Sequence, residues 1–159
     1  MKIISPMKRQ FTATVYIKKD EQVLLIYHKK LRKWLPPGGH IDPNELPTDA
    51  AVREAKEETG LHVMLESQDN LTINEANAVS LARPFLCLLE EIPPHGTEPA
   101  HQHIDMVYIG RPIGGEVIHN RDETDGIRWF TREDIHELSP EVDIFNETIQ
   151  TIEKVLVHG

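Results

Sequence analysis

Glu54, Glu57 and Glu58 stand at i, i+3 and i+4 of a proline-free segment, residues 48–59, whose acids lead and whose follower is Gly60. Such a segment is predicted to be a helix with Gly60 as its left-handed C-terminal residue. Helical spacing then gathers three carboxylates within about one turn. Like charges so close repel, and a hard divalent cation relieves the conflict. Magnesium takes oxygen ligands, keeps several waters, and is commonly held by a few carboxylates together with substrate phosphate oxygens. On a helical wheel Thr48, Val52, Ala55 and Thr59 share one side, and the three glutamates share the other, expected to face outward to solvent or a ligand. A glutamate-rich helix by itself is more often a solvated face, so the residues before it matter. Pro36-Pro37-Gly38-Gly39 cannot continue a helix or a central strand and predicts an irregular loop whose glycines let backbone approach an ion or phosphate. Arg53, four residues before Glu57, is placed to orient a carboxylate through a forked hydrogen bond, and Glu45 adds a further acid.

Taken together, Gly39, Glu45, Arg53, Glu54, Glu57, Glu58 and Gly60 fit the pattern G-x5-E-x7-R-E-U-x-E-E-x-G-U, with U aliphatic, at every fixed position. At average residue usage such a match arises by chance on the order of 1e-9. The segment resembles the Nudix box, and the chain is similar to Nudix hydrolases. Ala55 departs at the first U position, where a bulkier aliphatic residue is usual, and Leu61 fits the second. The resemblance implies an α/β/α sandwich around a mixed sheet and hydrolysis of a diphosphate bond in a nucleoside-diphosphate derivative by water attack on phosphorus. It implies that Glu54, Glu57, Glu58 and a carbonyl of the Gly38-Gly39 turn bind Mg2+, with Mn2+ as substitute, and that Arg53 and Glu45 support them. The general base comes either from the box, here Glu54, or from a loop before the last strand, here Glu123. The downstream proline of ADP-ribose-cleaving relatives and the tyrosine of dinucleoside-polyphosphate cleavers are not found at their usual places, which leaves a nucleoside triphosphate or related derivative as the expected substrate. The alternative is a scaffold that senses a nucleotide without turnover, but no acid of the box has been lost.

Other residues carry weaker signals. His101, His103 and Asp105 alternate and are expected to share one strand face, as a second metal site, as a substrate contact or, more simply, as ordinary polar side chains at a loop end. His28, His40 and His119 are read as ordinary polar positions. Tyr27 and Trp34 are core aromatics before they are base-stacking ones. Cys87, inside the apolar run Pro84-Phe85-Leu86-Cys87-Leu88-Leu89, is expected to be a buried packing residue.

The elements that must position these groups are legible as periodicity. Alternation over residues 11–18 predicts a half-buried strand, a turn at 19–21 and a second strand at 23–27 complete a hairpin, and further strands are expected at 80–92, 104–109 and 126–130, with a loop over 93–99. Thr131-Arg-Glu-Asp predicts a capped helix start, and residues 141–157 carry Val142, Phe145, Ile149, Ile152 and Leu156 at helical spacing. This is a layered α/β or α+β domain.

Its 159 residues, 39% of them hydrophobic, suit one domain over 1–159. Asp plus Glu exceed Lys plus Arg by 26 to 17, an acidic balance that disfavours nucleic-acid polymers and leaves a small phosphorylated substrate, bound through a metal or a local cationic pocket, as the expected partner. A lone cysteine allows no internal disulfide and fits a cytoplasmic location. No run approaches a membrane span, and the first nine residues lack a secretory pattern. A homodimer is compatible with this reading.

Overall fold

The computed structural model describes residues 7–67 and 71–158; residues 1–6, the head of the segment tested for a leader, lie outside them. In chain order the elements are β1 (Arg9–Lys19), β2 (Gln22–His28), β3 (Lys33–Leu35), β4 (Gly38–His40), α1 (Pro47–Thr59), β5 (Leu61–Leu65), β6 (Asn74–Glu75), β7 (Ala78–Val79), β8 (Leu86–Ile92), β9 (His101–Gly115), β10 (Thr124–Phe130), α2 (Arg132–His136) and α3 (Asn146–Val157). The main sheet follows the path β10-β2-β1-β9-β5, with β3 on β2, β4 on β1 and β8 on β9, while β6 and β7 form a small separate hairpin. β1 and β9 run parallel, and β2 and β4 lie antiparallel to β1.

β1 is therefore an interior strand. Ala13, Val15 and Ile17 pack with Leu24, Tyr108 and α1 on one face, and Tyr16 packs with Val107, Ile109, Phe130 and the helices α2 and α3 on the other. The expected half-buried strand is buried on both sides, because helices cover both faces of the sheet. The layered α/β sandwich stands. Ala50, Ala51 and Ala55 are all fully buried against it, so the small Ala55 sits in a row of small side chains.

Three boundaries differ from the sequence reading. The Gly38-Gly39 segment is a short strand, β4, paired with Thr12–Thr14 of β1 through Thr12↔His40 and Thr14↔Gly38; a short strand pairing at one edge tolerates glycine where a long central one does not. The strand expected from Ser80 begins at Leu86. Residues 141–145 are not helical: Glu141 has a positive φ of 63°, Pro140 bridges Ile144, Val142 is exposed, and α3 starts at Asn146. Cys87 is exposed, since among the described residues β8 pairs with β9 alone and its alternation turns Cys87, Leu89 and Glu91 outward. The helix start at Thr131 is as expected, a reciprocal capping box between Thr131 and Asp134.

Candidate active site

α1 opens with Pro47 in its first turn, preceded by Leu46 without a side-chain cap, and closes on Gly60 at φ 81°, the left-handed position expected. β4 lies along its flank. The wheel placed all three glutamates outward, and the structure corrects this. Glu58 is 7% exposed and accepts a hydrogen bond from the Gly38 N–H at 2.8 Å. Glu54 is mostly buried, its side chain 14% exposed, whereas Glu57 is half open. The acidic face of α1 is thus turned toward β4. At Gly39 a Cβ would stand 2.5 Å from Glu54 Oε1, so any side chain there requires the Glu54 carboxylate to shift. Gly39→Ala is expected to displace the Glu54 carboxylate and cut turnover at least tenfold with a change in melting temperature of only a few degrees, which steady-state kinetics beside thermal denaturation will check.

Arg53 organises the acids. Its Nε and Nη2 form a fork on Glu45, at 2.8 and 2.9 Å to Oε2 and Oε1. Nη1 donates to Glu54 Oε1 at 2.8 Å and Glu57 Oε2 at 3.2 Å, and Nη2 also reaches the His40 carbonyl. The forked partner is Glu45, in the connection between β4 and α1, rather than Glu57. Glu45 in turn accepts from the Asp42 N–H. Hydrogen bonds from Arg53 lower the Glu45 pKa and the carboxylates raise that of Arg53, so this pair stays charged at any ordinary pH.

The inner acids behave differently. Burial raises the pKa of Glu54, assisted by Glu57 and Glu123, although Arg53 opposes it. Burial, with Glu54, Glu123 and Glu57 adding repulsion, pushes Glu58 up to about 8. Glu123 is exposed on the turn directly before β10, and its charge is felt by both. Glu57 and Glu123 therefore both act on Glu54 and Glu58 across the gap between α1 and that turn. As the side chains stand, no group of three or more His, Cys, Asp or Glu among the described residues is arranged around one point: Arg53 draws Glu54 and Glu57 to itself, and the Gly38 N–H holds Glu58. The donors are hard oxygens throughout, which fits magnesium or manganese and not a thiophilic metal.

A pH dependence follows. In the unfolded chain Glu58 loses its proton near 4.5, while in the fold it keeps it to about 8. Between those values the folded state binds more protons, so this contribution to stability is full below pH about 4.5 and declines as pH rises to about 8. The metal-free protein is expected to melt at progressively lower temperature from pH 5 to 8, and added magnesium to flatten that slope by favouring the ionised carboxylates. Thermal scans across that range, with chelator or with magnesium, test both.

The remaining candidates fall elsewhere. His101 and His103 do share a face with Asp105, and their Nε2 atoms are 3.2 Å apart, but Asp105 is occupied by the hydroxyls of Thr12 and Thr14. Trp34 packs edge-on against Phe130 and Tyr27, on the core of the α3 face. His119 bonds the Thr124 carbonyl.

The model of the NUDIX domain matches residues 8–150. The chain belongs to the Nudix hydrolase family. Its solved relatives include a NUDIX-family hydrolase from Clostridium perfringens, 32% identical, covering 94% of this chain and 97% of that one with a TM-score of 0.77. Among curated proteins, this Nudix chain is 26% identical over 125 residues to a putative 8-oxo-dGTP diphosphatase of Bacillus subtilis (strain 168), covering 79% of this chain and 68% of the relative. It is 30% identical over 102 residues to a probable DHNTP pyrophosphohydrolase of Lactococcus lactis subsp. cremoris, covering 63% and 52%. It thus spans about half the length of that second relative. The C. perfringens likeness extends the Nudix sandwich over nearly all of the chain.

Proposed function

We propose that this Nudix hydrolase is a magnesium-dependent pyrophosphohydrolase of nucleoside triphosphates or closely related nucleoside-diphosphate derivatives, with manganese as a substitute ion, acting as a single domain over residues 1–159 in the cytoplasm. The observation that carries the reading is the group of closely spaced acids beside β4, with Glu58 buried and its pKa pushed up to about 8. Burying a carboxylate among other carboxylates is costly, and a divalent cation offsets the cost. Names of the relatives support the substrate class: one is a putative 8-oxo-dGTP diphosphatase and another a probable DHNTP pyrophosphohydrolase.

In this mechanism Glu54, Glu57, Glu58 and the Gly39 carbonyl hold the ion, which when bound lowers the pKa of a water and offsets charge on the phosphates. Arg53, anchored by Glu45, keeps Glu54 and Glu57 in place. The proton of the attacking water goes to Glu54 or to Glu123, the two acids that flank the gap. Glu54 is the more enclosed and already has a raised affinity for a proton. Glu123 stands exposed on a turn, so Glu123→Gln separates the two roles: a loss of about 100-fold in kcat assigns the base to Glu123, and a loss under tenfold assigns it to Glu54. The substrate class is tested with a panel of nucleoside di- and triphosphates and nucleoside-diphosphate conjugates, assayed with magnesium or manganese, products identified by mass. Metal-dependent release of a nucleoside monophosphate is expected. Binding of panel members without any product favours a sensor instead.

A further inference from the structure

We infer that Arg121 and the cleft beneath it hold the part of a polyphosphate chain lying beyond the box carboxylates, which would make this a site for substrates with three or more phosphates in a row. The inference rests on the pyrophosphohydrolase reading and deepens it.

The cleft, about 520 Å3, lies between the C-terminal end of α1 and the turn before β10, and is lined by Lys56, Glu57, Gly60, His119, Arg121 and Asp122, among others. The cleft is open to solvent along its length. It opens directly off Glu57, the most exposed of the three box glutamates. The turn is fixed to the helix at several points. The Ile118 N–H donates to the Thr59 carbonyl at 2.8 Å, and Asn120 Nδ2 reaches the Glu57 carbonyl at 3.4 Å. Where Gly60 has no Cβ, the Glu116 carbonyl and Ile118 close in. Asn120 then organises the turn itself, its carbonyl accepting from the N–H groups of Glu123 and Thr124 and its side chain from that of Asp122.

This one turn presents opposite charges to two neighbours. Glu123 acts on Glu54 and Glu58, while Arg121, two residues earlier, lines the cleft beside Glu57. The chain as a whole carries a formal charge of −9, so a polyanion needs a local cation. Arg53 is committed to Glu45, Glu54 and Glu57, and the Lys56 ammonium rests on the Gly60 carbonyl at 3.3 Å. Among the described residues Arg121 has no ion-pair partner. Its planar guanidinium suits two oxygens of one phosphate, and lost charge-assisted hydrogen bonds of that kind weaken binding by about tenfold or more.

Calorimetric titration of inorganic tripolyphosphate and pyrophosphate, with magnesium, into the wild type, Arg121→Ala and Arg121→Lys tests this. Tripolyphosphate is expected to bind Arg121→Ala about tenfold or more weakly, pyrophosphate less than threefold more weakly, with Arg121→Lys between, and all three proteins melting alike. With a triphosphate substrate, Arg121→Ala is expected to raise KM about tenfold and leave kcat within about twofold. Equal tripolyphosphate affinity in wild type and Arg121→Ala, or no binding to the wild type, overturns the inference. A wild type that binds tripolyphosphate through Arg121 yet hydrolyses nothing keeps the site and sinks the hydrolytic reading; one that hydrolyses triphosphates while Arg121→Ala equals it in both assays does the reverse.

Discussion

Glu58→Gln is expected to reduce turnover by about 1000-fold or more while the variant melts at the same or a higher temperature than the wild type. The two effects have one cause. Glu58 is buried, 7% exposed, and in the folded protein its carboxyl keeps its proton up to about pH 8, so near neutrality folding must return to this acid a proton that the unfolded chain has lost, which costs stability. A glutamine amide oxygen can take the hydrogen bond that Gly38 N–H now gives to Oε1 and brings no charge. The fold gains, and the site loses an anionic oxygen that a divalent cation needs. Comparing kcat/KM with the thermal midpoint at pH 7.5 separates the effects. The melting temperature of the variant should also vary less between pH 5 and 8 than that of the wild type.

Removing Arg53 should act in the opposite sense on stability. Its guanidinium holds three carboxylates of α1 and the preceding connection at 2.8–3.2 Å, and Glu45 and Glu54 are 16% and 14% exposed. Arg53→Ala leaves those charges close together, partly out of water and without a cation, and is expected to cost about 2–4 kcal/mol of stability as well as about 100-fold in turnover. Arg53→Lys is not expected to rescue either, because one ammonium cannot reproduce the fork on Glu45 together with the bonds to Glu54 and Glu57. Urea unfolding supplies the stability change, and steady-state assays supply the other. An Arg53→Lys variant with wild-type values in both would show that charge alone, and not the planar fork, keeps the acids in place.

What could be read from residues alone was local. The spacing of Gly39, Glu45, Arg53, Glu54, Glu57, Glu58 and Gly60 is a property of one continuous stretch, and so are the Gly60 helix end and the Thr131–Asp134 capping box, because each depends on neighbours within a few positions. Facts that depend on distant partners were not legible. Pro36-Pro37-Gly38-Gly39 looks like a loop until β1 offers Gly38 a pairing partner in Thr14, and that pairing is what aims the Gly38 N–H at Glu58. A helical wheel states that Glu54 and Glu58 share a side of α1, but it cannot state that β4 covers that side. Cys87 lies in an apolar run, and only the position of β8, paired among the described residues with β9 alone, turns it outward. Arg121 carried no signal in the sequence, since an arginine between asparagine and aspartate reads as a solvated turn. Its proximity to Glu57 depends on the bonds from Ile118 and Asn120 to the end of α1.

The central claim is that the acids of α1 share a divalent cation, and manganese binding followed by electron paramagnetic resonance tests it most directly. Titrating Mn2+ into the wild type and into a Glu57→Gln/Glu58→Gln double variant should show tightly bound manganese in the first, displaced by excess magnesium, and none in the second. Equal manganese binding by the two proteins, with the double variant folded, would mean that these carboxylates do not grip an ion.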